Sequence, residues 1–459
     1  MRKLITLFAF LVSAVSFGQD HNKKIDEVFT ALASSKKFNG NVLVAEKGNI
    51  VYQKSFGIAN EATGELLTNN SVFELASVSK QFTAMAIAIL ENNKKLSYED
   101  DLAKFIPELA FYKGVKIKHL IHHTAGLPDY MEQMYYTWDK SKIATNKDMI
   151  AALAKTQPMS LFEPNEKFEY SNTGYALLAS IIEKASGKTY ADFLQDNIFK
   201  PLKMTSTFVY TRRYAPKEVK NYAYGYVYSK ELKKNVLADD AEDNKMVYWL
   251  DGIVGDGTVN STTGDLLKWD RALYGSTLLP KAAVDKLFEP FPLNDGTKSD
   301  YGFGWILENS TDYGKIVSHS GGWGGYATYI ERDITNDKTI ILLENSTSAF
   351  PVDKLRKILY DVKEEKKEEI KLSDAVLSTY VGEYELAPGY IFTIAKDGSQ
   401  LSAQLTGQQA LPIYPYAEAK FFSKVVEASI DFIKDDKGTV IKLVLHQNGR
   451  QMEAPRKKA

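Results

Sequence analysis

Hydrophobic and polar positions change period several times along the chain, and each change marks an element. Two short apolar runs, Val42–Ala45 and Ile50–Tyr52, flank Glu46-Lys47-Gly48-Asn49 and predict a β-hairpin. From Phe82 to Leu90 the chain is apolar on nearly every side, as expected of a buried helix. Helical signals dominate from Ala76 to about Ser206, among them an amphipathic stretch from Ala176 to Ala185 that stops at Gly187. Tyr222 to Tyr248 is tyrosine-rich and irregular, and reads as a loop or small insert over the site. A helix around Thr263–Tyr274 follows, with Asp265 in its first turn, where the helix dipole favours an acid. Strand-like runs come next at Gly304–Leu307, Lys315–Ser318, Ala327–Ile330 and Thr339–Leu343, then a helix near Val352–Val362. Strands at both ends around a helical middle predict an α/β (α+β) domain. One antiparallel sheet would be flanked by helices, with an all-helical lobe opposite and the site between them.

The charged run Lys363–Glu369 reads as a boundary, a solvated helix end or a linker. Beyond Leu372 the runs are short and alternating: Val381–Leu386, Ile391–Ala395, Leu401–Leu405, Phe421–Val425, Ile430–Lys434 and Val440–His446. Lys396-Asp397-Gly398 and Asp435-Asp436-Lys437-Gly438 supply turns. This predicts a separate small all-β domain, a barrel or sandwich, over residues 372–459 behind a linker at 363–371. No catalytic constellation is visible in it, so its expected role is structural or substrate-gating.

The N-terminus departs from the rest. Arg2-Lys3 precedes an apolar run from Leu4 to Phe17, with small residues at Ser16 and Gly18. Such a segment reads as a secretory signal peptide over residues 1–18, cleaved near Gly18 and too short for a comfortable membrane span. The first globular domain is then expected over 19–362, in a protein of the bacterial periplasm or exterior with no stable membrane span after cleavage. Cysteine is absent, which excludes disulfides, thiol nucleophiles and cysteine metal sites. A formal net charge of −1 and the lack of a Lys/Arg stripe give no reason to expect nucleic acid.

Three short motifs carry the chemistry: Ser77-Val78-Ser79-Lys80, Tyr170-Ser171-Asn172 and His319-Ser320-Gly321. On a helix Ser77 and Lys80 share one face, so the amine can reach the hydroxyl. An alcohol attacks only when a neighbouring base takes its proton, and the Tyr170 phenol can share that task with Lys80. A second S-x-x-K, Ser34-Ser35-Lys36-Lys37, lacks a long apolar run behind it. Ser77 instead opens the buried helix, where free backbone N–H groups can face an oxyanion. The cluster His119, His122 and His123 lacks further ligands at helical metal spacing, and neither a metal nor any cofactor is expected. Glycines 321, 322, 324 and 325 are no phosphate loop; they let the backbone approach a ligand or turn sharply.

These motifs, in this order, resemble the serine β-lactamase and penicillin-binding protein superfamily, in particular its class C-like branch of peptidases and esterases. The resemblance spans roughly residues 25–362. It takes in Phe38–Ala45, Phe73–Thr83, His119–Pro128, Phe168–Tyr175, Pro201–Met204, Gly255–Ser261, Tyr301–Trp305 and His319–Gly322. It implies a β-lactamase/transpeptidase-like fold in which Ser77 is the acylated nucleophile, Lys80 its base and Tyr170 their partner. Asn172 would hold the substrate amide, and His319-Ser320-Gly321 would form the substrate-binding strand. Many relatives carry lysine where this chain has His319. Histidine is mostly neutral at pH 7, which weakens β-lactam turnover and fits the esterase and peptidase relatives. The C-terminal domain resembles the lipocalin-like domains appended to such hydrolases. The implied substrate is a small molecule or peptide: an ester, a D-amino-acid amide, a peptidoglycan fragment or a β-lactam. The alternative is a catalytically silent relative that binds peptidoglycan fragments.

Overall fold

The N-terminal hairpin forms where the pattern places it and joins a larger sheet. Strands β1 (Gly40–Glu46) and β2 (Asn49–Phe56) meet at a turn in which Lys47 and Gly48 have φ of 50° and 76°. Strands β3 (Ile306–Ser310), β4 (Gly314–Trp323), β5 (Tyr326–Asp333) and β6 (Lys338–Glu344) complete six strands in the order β3-β4-β5-β6-β1-β2. β1 pairs antiparallel with β6, Gly40 opposite Glu344 and Glu46 opposite Lys338. Both are buried along nearly their whole length, which is why they read as unbroken apolar runs rather than alternating ones. The computed structural model describes residues 20–241, 245–346, 350–362, 367–387, 389–426, 428–447 and 450–457. The segment at 1–18 expected to be a signal peptide lies outside the described residues, as does part of the charged run at 363–369. Contacts divide the chain into two compact units, Met1–Phe350 and Pro351–Ala459.

Helices cover the six-stranded sheet because its strands β1, β5 and β6 are buried on both sides. Helix α1 (residues 20–34) buries Ile25 and Phe29, and the Phe29 ring packs 4.8 Å from Phe38 and 6.1 Å from Phe56. In the lobe, helix α2 (Lys80–Asn92) packs on helix α3 (Asn172–Ser186), which ends at Gly187 with φ 72°. Phe82 of α2 lies 4.7 Å from Trp269 of helix α4 (Thr263–Ala272). α4 is tied to β5 by a buried pair, Arg332 Nε to Asp270 Oδ1 at 2.5 Å. Asp265, placed in the first turn by the sequence pattern, is buried and accepts from Thr207 Oγ1 and the Ser206 N–H.

Two expectations need correcting. β3 starts at Ile306 rather than Gly304, because Gly304 (φ 77°) turns against the start of α2, where a Cβ would lie 2.7 Å from the Gln81 nitrogen. Residues 222–248 are more regular than their composition suggests. They hold a hairpin, Tyr226–Ser229 with Lys234–Leu237, and a short helix Met246–Trp249. Its four-residue strands are too short for an alternation to stand out. Trp323 pairs with Tyr326 across Gly324-Gly325, both at positive φ, so these glycines make a tight hairpin turn.

The second unit is an eight-stranded antiparallel meander, two strands richer than the pattern suggested. Its strands are β7 (Gly382–Ala387), β8 (Tyr390–Asp397), β9 (Gln400–Leu405), β10 (Leu411–Ala417), β11 (Lys420–Ser423), β12 (Ala428–Lys434), β13 (Val440–Gln447) and β14 (Arg450–Pro455). β10 was hidden by Pro412 and Pro415, which lack the N–H of a normal strand, and it bulges after Pro415. β14 was hidden by its polar composition. The two ends meet: Tyr384 bridges to Arg456, and the Lys457 N–H donates to the Glu383 carbonyl at 2.8 Å. Helix Asp374–Tyr380 sends Leu377 and Tyr380 inside, where Tyr380 stacks 4.5 Å from Phe432. Side chains thus fill the barrel interior. Among the described residues no helix is long and apolar enough to cross a membrane.

Candidate active site

The nucleophile candidate lies just before the buried helix, not within it. Ala76–Ser79 form a single 3-10 turn, and Lys80 is the first residue of α2. Ala76 has φ 48°, a left-handed conformation that disfavours any residue with a Cβ and is retained where the surroundings impose it. The surroundings here are the sheet. The Leu75 carbonyl accepts from Thr328 Oγ1 of β5 at 2.7 Å. A Cβ at Gly321 of β4 would lie 2.4 Å from the Leu75 oxygen and 3.0 Å from the Ser77 nitrogen. Only glycine lets the strand come that close. Ser77 stays half-buried.

Lys80 is fully buried and makes three contacts: Ser77 Oγ at 3.1 Å, Asn172 Oδ1 at 2.9 Å and the Asp256 carbonyl at 2.9 Å. The last two partners can only accept. As a neutral amine, Lys80 therefore points its hydrogens at Asn172 and Asp256 and its lone pair at the Ser77 hydroxyl. As an ammonium it donates to all three. The same geometry serves a base before proton transfer and an acid after it.

Asn172 opens α3, with its orientation set by Asp129. The Asp129 Oδ2 accepts from the Asn172 Nδ2 at 3.1 Å and from its backbone N–H at 3.3 Å. The amide oxygen is left facing the cation. The Tyr170 ring centroid is 5.0 Å from Lys80 Nζ, and the residue is 39% exposed. Ser77, Lys80, Tyr170 and Asn172 thus converge at one point from the 3-10 turn, α2, the segment preceding α3 and α3 itself.

The β4 residues play different parts. β3 pairs with β4 only as far as Ser318, whereas β5 continues to Trp323. Among the described residues, positions 319–323 therefore carry no paired strand on the β3 side. Ser320 is exposed there. His319 is buried, with Nδ1 2.6 Å from the Ser320 carbonyl and Nε2 2.9 Å from the Tyr301 hydroxyl. A carbonyl cannot donate, so Nδ1 carries the hydrogen and Nε2 accepts from Tyr301. Burial, then the charge of Lys80, lowers the His319 pKa to about 3, so the ring is neutral at pH 7. With both nitrogens engaged, it shapes the strand from beneath and offers no cation to a ligand.

Sequence reasoning passed over several neighbours. Asp256, between Gly255 and Gly257, gives its carbonyl to Lys80, and its carboxyl accepts from the Tyr130 hydroxyl at 2.9 Å. Burial raises its pKa against the opposing pull of Lys80. An acid between glycines in an apolar region was the available signal. The three histidines considered as metal ligands turn to different partners. His119 Nδ1 accepts from the Lys116 N–H, and His122 Nδ1 donates to the Tyr301 carbonyl at 2.8 Å. His123 lies under Tyr170, ring centroids 4.2 Å apart.

Comparison with known proteins agrees with this geometry. The family described as Beta-lactamase matches residues 25–362, and a domain of unknown function, DUF3471, matches residues 366–456. Penicillin-binding protein 4* of Bacillus subtilis is 42% identical over 451 residues, covering 96% of this chain and all of that protein. A putative D-alanyl-D-alanine carboxypeptidase of Escherichia coli is 26% identical over 66% of this chain and 77% of its own length. The octameric penicillin-binding protein homologue from Pyrococcus abyssi superposes with a TM-score of 0.66 at 25% identity, over 95% of this chain and all of that one. The D-amino acid amidase of Ochrobactrum anthropi shares the fold at a TM-score of 0.60 and 21% identity, over 76% of this chain and 100% of its own. With a family match over most of its first unit and a full-length relative at this identity, the chain belongs to the β-lactamase family of serine hydrolases, in its penicillin-binding-protein-like group.

Proposed function

We propose that this chain is an exported hydrolase that cleaves an amide or ester bond through an acyl-enzyme on Ser77, with a short D-amino-acid peptide or amide as its substrate class. The observation that carries the reading is the set of contacts around Lys80, which aims one lone pair at Ser77 and commits the remaining hydrogens elsewhere. Lys80 takes the Ser77 proton as Oγ attacks the substrate carbonyl. The oxyanion forms beside the Ser77 amide and the open edge of β4, where backbone N–H groups can stabilise it. Collapse breaks the bond to the leaving amine or alcohol, which receives a proton from Lys80 with help from Tyr170. Water then attacks the ester, gives its proton to the same pair and restores Ser77. The names of the relatives, a D-alanyl-D-alanine carboxypeptidase and a D-amino acid amidase, support the D-amino-acid side of the range. The neutral His319 speaks against efficient β-lactam turnover, since a β-lactam carboxylate would find no cation there.

Intact-protein mass spectrometry after incubation with a fluorophosphonate, a penicillin and a p-nitrophenyl ester tests the reading. Adducts on the wild type that vanish in a folded Ser77→Ala variant are expected. Labelling that survives in that variant, or a wild type inert to all three, would remove the assignment and favour a ligand-binding relative. Export is tested separately, by the N-terminal sequence of protein recovered outside the cytoplasm, which should begin close after Gly18.

A further inference from the structure

His123 makes three contacts with consecutive residues of the segment that carries the proposed partner base. Its carbonyl accepts from the Glu169 N–H at 2.9 Å. Its Nδ1 accepts from the Ser171 N–H at 3.1 Å. Between these two, its ring lies 4.2 Å from that of Tyr170, tilted by 32°. Since Nδ1 is the acceptor, Nε2 carries the hydrogen, and among the described residues that buried N–H has no hydrogen-bond partner. The rings around it are Phe168, Tyr170, Tyr175 and Tyr301, the last at 4.5 Å. The backbone of His123 is left-handed, φ 57°. An orphaned buried donor and an unfavourable backbone both oppose stability, and such departures gather where function holds them in place.

We propose that His123 is the positioning residue for Tyr170: it fastens the chain on both sides of the phenol and supplies the shelf on which the ring rests over Lys80. This rests on the proposed hydrolytic role of Tyr170. Tyr170 is itself 39% exposed and heads a segment that includes exposed Phe168, so its aim depends on what lies beneath it. Burial, with the charge of Lys80 adding to it, keeps the imidazole neutral, which preserves Nδ1 as an acceptor.

Two substitutions separate the contacts. His123→Asn keeps an acceptor near the Nδ1 position and tolerates the left-handed backbone, but removes the shelf. His123→Phe keeps a ring and removes the acceptor. Both should lower kcat for a p-nitrophenyl ester roughly 10- to 100-fold while KM stays within about twofold, and neither should add to Tyr170→Phe. A readout independent of activity is the 19F spectrum of 3-fluorotyrosine placed at position 170. A single narrow line in the wild type should broaden or split in the folded His123→Asn variant. Unchanged kcat in His123→Asn, losses that multiply fully with Tyr170→Phe, or an unaltered 19F line would each overturn the inference. If the wild type proves inert to all substrates and fluorophosphonate, the hydrolytic reading falls, and the 19F line alone still decides whether His123 fixes the phenol.

Discussion

The Tyr130 hydroxyl donates to Asp256 Oδ2 at 2.9 Å in a place where both side chains are buried, and the Asp256 backbone carbonyl accepts from Lys80 at the same distance. One residue therefore couples a lobe tyrosine to the amine beside the nucleophile. Burial favours the neutral carboxylic acid. Asp256→Asn, which is neutral and still accepts from Tyr130, should keep stability and activity near the wild type. Asp256→Ala should be destabilised by about 1–3 kcal/mol, the usual result of leaving a buried hydroxyl unpaired. Urea unfolding and ester hydrolysis of the two variants check this; equal damage in both would mean that the negative charge itself matters.

Lys80 and Tyr170 are expected to act as one proton-transfer unit, given the 5.0 Å between the amine and the phenol ring. The double variant Lys80→Ala/Tyr170→Phe should then be scarcely slower than Lys80→Ala alone, because residues that act together are not additive. Single-turnover acylation rates for the four proteins measure it. Independent multiplication of the two losses would separate the roles.

His319→Lys should raise the penicillin acylation rate relative to ester hydrolysis. A fixed cation helps only the substrate that carries a carboxylate. The new ammonium cannot accept from the Tyr301 hydroxyl as the imidazole does and lies near Lys80, so a lower melting temperature is expected alongside. Efficient penicillin turnover by the wild type at pH 8, unimproved by this change, would mean that another group binds the carboxylate.

Glu74, three residues before Ser77, is buried, and its pKa rises from 4.5 to about 7, chiefly through burial. Arg213 and Arg212 pull it down, and Asp251 and Asp239 push it up. Between these two pKa values the folded protein keeps the proton that the unfolded chain releases. Glu74 therefore lowers stability progressively as pH rises from about 4.5 to 7, by up to about 3 kcal/mol. The buried histidines act in the opposite direction: His119 and His122, lowered to about 4, weaken the fold as pH falls from 6.5 toward 4. Comparing the wild type with Glu74→Gln cancels their share. The variant should gain on the wild type between pH 5 and 8 in urea midpoints, and a constant gap across that range would rule the effect out.

What the sequence disclosed depended on whether the signal was local. The hairpin at β1 and β2, the apolar α2 and the glycine stop of α3 follow from period and punctuation, and each formed within a few residues of expectation. Ser77, Lys80, Tyr170 and Asn172 were legible as motifs because each lies in a distinctive short string. Asp129, Asp256 and Tyr301 were not, since their importance arises from contacts made across long separations. The 3-10 turn at Ser77 was equally hidden, because its cause is Gly321, more than two hundred residues away in the chain. β10 was lost to its prolines, which mark a strand as unlikely until a bulge accommodates them.

The pairing of β1 with β6 has a temporal consequence. Residues 40–46 leave the ribosome early but find their second neighbour only after residues 338–344 have been made. Until then one long edge of an apolar strand is without its partner, and closing so large a loop is slow. The barrel of the second unit is the reverse case, every strand hydrogen-bonding first to the one just synthesised. Nascent chains of the first unit are therefore the ones that need protection from aggregation, and residues 338–344, made long after the opening hairpin, decide whether it is ever rescued.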